Sequence, residues 1–165
     1  MFEIPENIHP NTARLAWLIG TWAGNGHGEY PNIEKFQFGQ ELIFQQDGRP
    51  FIHYMSRAWI TDADGNTIRP SAQETGFIRP QPDGTIEFLL THSTGFVEIW
   101  HGELDPDAPR FEIVTDTVAR TATAKEYTGG KRLYGYVEGD LLYAFDMAAM
   151  GQPLQSHTHA RLVRQ

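Results

Sequence analysis

The chain has 165 residues, 40% of them hydrophobic and 21% charged, which suits one compact globular domain and not a disordered segment. A formal charge of −8 at pH 7 with no Lys/Arg cluster argues against nucleic acid, and a cysteine count of 0 excludes disulfides, thiolate metal sites and a cysteine nucleophile. No apolar run approaches membrane-spanning length, and Met1–Pro10 lacks the basic start and apolar stretch of a secretory signal. The expectation is therefore a cytoplasmic protein without a membrane partner, residues 1–165 forming a single domain and 1–10 an extended N-terminal segment.

Along the chain, Asn11 or Thr12 can cap a short helix whose apolar positions are Leu15, Leu18 and Ile19, ended by Gly20. After Gly20 the period changes to two. Apolar or alternating stretches run over Trp22–Tyr30, Phe36–Gln45, Phe51–Ile60, Ser71–Arg79, Thr85–Thr91 and Phe96–Glu103. They continue over Phe111–Thr117, Thr121–Tyr127, Lys131–Val137, Leu141–Met147 and Leu154–Val163. Asp47-Gly48, Asp64-Gly65, Asp83-Gly84 and Gly139-Asp140 punctuate them, and Gly129-Gly130 reads as the turn of a further hairpin. About ten consecutive, hairpin-linked strands favour an all-β fold, a single antiparallel barrel, because closure removes exposed edges. A barrel of that size has room for one small ligand.

The first strand is unusual. Gly20, Gly24, Gly26 and Gly28 fall at alternate positions interrupted only by Trp22, leaving one face nearly bare. Either the strands pack closely there or a flat ligand approaches the backbone. Of the seven histidines, His157 and His159 stand two apart in a strand pattern and so share one face. Zinc normally wants a third protein ligand, whereas one imidazole suffices for haem iron. Ser93 and Ser156 lie beside His92 and His157, yet adjacent strand residues face opposite sides, and no nucleophile elbow is present. Glu74, Glu98 and Glu126 have no spacing that specifies acid–base chemistry, so each is read as solvated or salt-bridged.

Gly20-Thr21-Trp22-Ala23-Gly24-Asn25-Gly26, followed by Glu29-Tyr30-Pro31, resembles the Gly-x-Trp-x-Gly-x-Gly start of the nitrobindin family. Glu74-Thr75-Gly76-Phe77, His92-Ser93-Thr94-Gly95, Thr123-Ala124-Lys125-Glu126 and Gly151-Gln152-Pro153-Leu154-Gln155-Ser156-His157 carry the resemblance on, from about Leu15 to the C-terminus. The resemblance implies a ten-stranded barrel shaped like the fatty-acid-binding proteins, holding one ferric haem b per chain near an open end. It implies reaction with nitric oxide and isomerisation of peroxynitrite to nitrate. It assigns the proximal iron ligand, through which catalysis runs, to His157, with His159 as the alternative, and cofactor contacts to Gly20, Trp22, Gly24, Gly26 and Asn32. The chain departs from the family pattern at Asn32, where Thr is frequent, at His27, where an acidic residue is frequent, and in the additional His159, which shares the face of His157 unless strand ten carries a bulge near Thr158. The oligomeric state consistent with the sequence is monomer or homodimer.

Two other readings fit the composition. A carrier of a fatty acid or similar apolar molecule without haem predicts a buried basic residue, Arg161 or Arg120, and no free imidazole inside. A barrel without a small ligand predicts an interior filled by its own aromatics, for which ten Phe are available.

Overall fold

The computed structural model describes residues 2–165. A 3-10 helix, Ala13–Leu18, precedes ten strands: β1 Gly20–Tyr30, β2 Ile33–Gln45, β3 Ile52–Thr61, β4 Thr67–Pro80, β5 Thr85–His92, β6 Phe96–Leu104, β7 Arg110–Arg120, β8 Tyr127–Val137, β9 Asp140–Ala149 and β10 Gln155–Arg164. Each strand pairs antiparallel with its neighbours in sequence, and β1 also pairs with β10, so the sheet closes without a free edge. The all-β barrel expected from the strand pattern is the observed fold. Two expectations change in detail. The helix is a tight 3-10 turn, and Thr12 bonds back to the His9 carbonyl instead of capping it. Thr121–Glu126 is a loop, and Gly129-Gly130 lies within β8. That glycine pair fits a strand because Phe145, the Asp146 carbonyl and Trp100 crowd Gly130, and because the pairing with β9 slips between Tyr127 and Gly129.

Alternation divides each strand between wall and interior. One end of the barrel is plugged by the 3-10 helix, whose Leu15, Trp17 and Leu18 are buried against the barrel aromatics. Trp17 meets Phe111 and Tyr136, while Trp22 Nε1 donates to the Leu18 carbonyl at 2.8 Å. From β10, Arg164 donates to the Trp17 carbonyl at 2.7 Å and to that of Ile19, with its guanidinium 4.2 Å above the Trp22 ring. Burying large side chains here stabilises the fold by about 1.5–3 kcal/mol each.

The bare face of β1 is filled by its neighbours. Rings of Phe38 and Phe36 on β2 lie where a Cβ on Gly26 or Gly28 would stand, and Gly24 meets the backbone of Arg161 and Leu162. Close strand packing therefore accounts for the glycines. The opposite end carries the β1–β2 turn, the β3–β4, β5–β6 and β7–β8 connections and the β9–β10 loop, with no helix over it among the described residues.

Candidate functional site

The site begins with a register shift in β10. Ser156 pairs with Asp146 and Thr158 with Phe145, so His157 is the extra residue of a β-bulge. Thr158 turns inward, its hydroxyl 3.3 Å from the Tyr143 hydroxyl. His159 turns outward, opposite His27 on β1. The expectation that His157 and His159 share a face is thus corrected: the bulge shifts the alternation between them, and His159 is not an alternative ligand for anything held inside.

His157 is half-buried at the open end. Its Nδ1 lies 3.0 Å from the Glu29 carbonyl, which can only accept, so Nδ1 carries the hydrogen and Nε2 keeps its lone pair. Nε2 has no partner among the described residues. Rings of Tyr30, Phe36 and Phe145 surround the imidazole at centroid distances of 5.4, 6.1 and 5.8 Å. Burial pushes its pKa below the ordinary value; the Glu29 hydrogen bond opposes this and the Arg132 charge adds to it. The neutral, ligating form is therefore the one the fold favours at neutral pH.

His157 and Phe36 border two spaces. One is an inner cavity of about 120 Å³, walled also by Phe38, Gln40, Tyr143 and Phe145. The other is a cleft of about 610 Å³ at the rim, reaching Lys35 and Ile68. The inner cavity alone is below the roughly 300 Å³ that small-molecule sites usually offer, and the cleft is within the usual range.

The far wall of the interior is charged. Arg132, only 4% exposed, grips Glu74 with two hydrogen bonds of 2.6 and 3.0 Å, and Tyr54 donates to the same carboxylate at 2.7 Å. His92 places Nδ1 3.2 Å from Glu74 and Nε2 2.5 Å from Glu98. Thr115 and Tyr127 donate to the other Glu98 oxygen at 2.9 and 2.6 Å. Burial alone would lower the His92 pKa, but hydrogen bonds to the two carboxylates outweigh it and raise it. Burial likewise opposes the Glu74 carboxylate, yet the Arg132 charge and its hydrogen-bonding partners hold it well below the usual range. Arg132 also lies 5.0 Å from the Trp100 ring centre and 4.7 Å from that of Phe145, joining this network to the aromatic cage of His157.

Several expected residues stand elsewhere. Gly20 and Trp22 belong to the plugged end, and Gly24 and Gly26 are covered by Leu162 and Phe38, so none of these expected cofactor contacts borders the cavity. Asn32 sits exposed in the β1–β2 turn, its amide 3.7 Å from the Met150 sulfur. Arg161 and Arg120 face outward; the buried base is Arg132, and its carboxylate partner is already in the chain. Ser93, Ser156 and Glu126 are exposed, whereas Glu74 and Glu98 converge on His92. Phe36, Phe145 and Arg132 were not singled out from sequence, and Tyr30 only as a motif residue; for Arg132 a signal existed, two residues before Tyr134 on the inward phase of β8.

Residues 11–164 match the family model described as THAP4-like, heme-binding beta-barrel domain. The chain is 63% identical over 164 residues to a protein of Nocardioides sp. named peroxynitrite isomerase, covering 99% of each. It is 44% identical over 162 residues to a ferric nitrobindin-like protein of Streptomyces griseus, covering 98% of this chain and 85% of that one. The crystal structure of Rv2717c from M. tuberculosis superposes with a TM-score of 0.85 at 35% identity, covering 96% of this chain and 99% of that one.

Proposed function

The chain belongs to the THAP4-like, haem-binding β-barrel family, and from that membership we propose a peroxynitrite isomerase that binds haem b at the open end of the barrel. The observation that carries the reading is His157: one imidazole, fixed by the Glu29 carbonyl, with a free Nε2 and an aromatic surround. Among the described residues no three His, Cys, Asp or Glu converge on a metal. This donor set fits haem, whose iron would ask the protein for a single imidazole.

Haem held there by His157 would supply the iron chemistry for converting peroxynitrite to nitrate. The protein's own part can be stated residue by residue. The Glu29 carbonyl holds the His157 tautomer and makes the imidazole a better donor. Phe36, Phe38 and Phe145 line the cavity with apolar rings that keep water from the reacting centre. Ferric iron, one haem per chain, nitric oxide as a further ligand and a cytoplasmic setting complete the proposal.

The test is an optical titration of the haem-free protein with ferric haem, beside His157→Ala and His159→Ala variants. Saturable one-to-one binding with a Soret band altered by loss of His157 alone is the expected result. An unchanged band in both variants sinks the assignment. The haem-loaded protein then speeds peroxynitrite decay with nitrate as the product, an effect absent in His157→Ala.

A further inference from the structure

Four histidines have committed rings. His9 accepts from the Asn11 amide at 3.1 Å, His53 bonds the Thr75 hydroxyl at 3.1 Å, His92 meets two carboxylates and His157 holds the Glu29 carbonyl. Among the described residues, His27, His101 and His159 make no side-chain hydrogen bond and no ion pair. Two of these three face one another. His27 on β1 is directly opposite His159 on β10, with ring centroids 5.8 Å apart and planes tilted by 32°. Both are exposed on the outer wall, on the far side of the sheet from the barrel interior.

We propose that His27 and His159 form a surface site for a divalent transition-metal ion, Cu²⁺ in preference, held by two imidazoles and completed by water. Imidazole nitrogens bind such ions at about 2.0–2.1 Å, which places the centroids of two converging rings between about 4.5 Å and about 6.4 Å apart, according to the angle at the metal. The observed spacing needs only side-chain rotation on a fixed ladder. Neighbouring cations do not oppose the ion: Arg161 is held by Asp140 at 2.5 Å and Lys35 lies 3.4 Å from Glu29. The other cross-strand neighbours are Gln37 beside His27 and Ala144 beside His159, neither charged. Copper(II) stands highest in the divalent series for nitrogen donors, and a third protein ligand, which zinc normally wants, is missing.

The position gives the site a consequence. His27 is two residues before Glu29, and His159 two after His157, so a bound ion ties β1 to β10 beside the bulge that sets the His157 ring. It does so from the outer face of the wall, at the rim cleft that His27 and His159 line together with His157.

The experiment is a Cu²⁺ titration of the haem-free protein against a competing chelator, followed by electron paramagnetic resonance. Wild type takes one tight equivalent with nitrogen ligation. His27→Gln and His159→Gln each weaken it by about a hundredfold, the range expected when one of two linked donors is removed. His101→Gln and His157→Ala leave it unchanged, and Zn²⁺ binds more weakly than Cu²⁺. Binding indifferent to both His27 and His159, or binding lost with His157→Ala, overturns the assignment; the latter would put copper on the interior imidazole.

Discussion

The wall made by β1, β2, β9 and β10 shows the interior Phe36, Phe38, Phe145 and one imidazole with an unused nitrogen. The wall made by β4 to β8 shows it Glu74, His92, Glu98 and Arg132, each already bonded to another. Each wall turns one histidine toward the interior, and the difference in their partners separates the roles. His157 has one neutral acceptor and is left free to ligate. His92 has a carboxylate on each ring nitrogen and is left with nothing to offer. Polar side chains that satisfy one another hold a shape, and an incoming group is served by the residue that the fold leaves incomplete.

The strongest way to break this contrast is Arg132→Leu, which strands the Glu74 carboxylate in the interior. Urea denaturation of the haem-free variant should show a loss of about 3–5 kcal/mol, against about 1 kcal/mol for His157→Ala. Equal losses would mean the two walls bear the fold alike. Next is Gly26→Ala, where the new methyl meets the Phe38 ring and the His159 carbonyl. Overpacking of this kind costs about 1–3 kcal/mol by the same measurement, and a smaller value would show that the β2 aromatics are loosely seated.

The two imidazoles should also titrate in opposite senses. His92 is raised above 6.5 in the folded chain, so its contribution is complete at lower pH and is lost as pH climbs through the folded value. His157 is depressed below 6.5, so the unfolded chain takes up its proton first and stability falls as pH drops through that window. Denaturation midpoints between about pH 5 and pH 9 should therefore flatten on the alkaline side in His92→Gln and on the acid side in His157→Gln. Matching slopes in both variants would remove the distinction. The smallest effect expected is that of Asn32→Ala. Its stability should stay within about 0.5 kcal/mol of wild type and its haem titration should not move, because Asn32 borders neither cavity.

Much of the barrel was legible because each turn carries its own chemistry. Asp47-Gly48, Asp64-Gly65, Asp83-Gly84 and Gly139 all lie between strands, with a positive φ at each of these glycines. Gly129-Gly130 misled for the same reason: a glycine needed for close packing reads like one needed for a turn. His157 was reachable through the run Gly151 to His157, whereas whether His159 shares its face turned on a bulge near Thr158 that the sequence left open. A bulge adds one residue to a strand without leaving a composition of its own. The charged wall was hidden by distance, since Glu74 and Arg132 are 58 residues apart and become partners only through the register of several intervening strands. His92 and Glu74 could be recognised as motif residues, but nothing in the linear order shows that they touch.

The bond from His157 to the Glu29 carbonyl spans 128 positions of the chain. It lies across the seam where the first strand meets the last, so the ring cannot be oriented until every intervening hairpin is in place. Loops of that length close late, and topologies dominated by distant pairing fold slowly. A chain stopped one strand short would keep Phe36, Phe38 and Phe145 but lack both His157 and the seam that orients it. Uptake of haem during refolding should accordingly lag behind the burial of tryptophan, which makes the cofactor a clock for the last event in assembly.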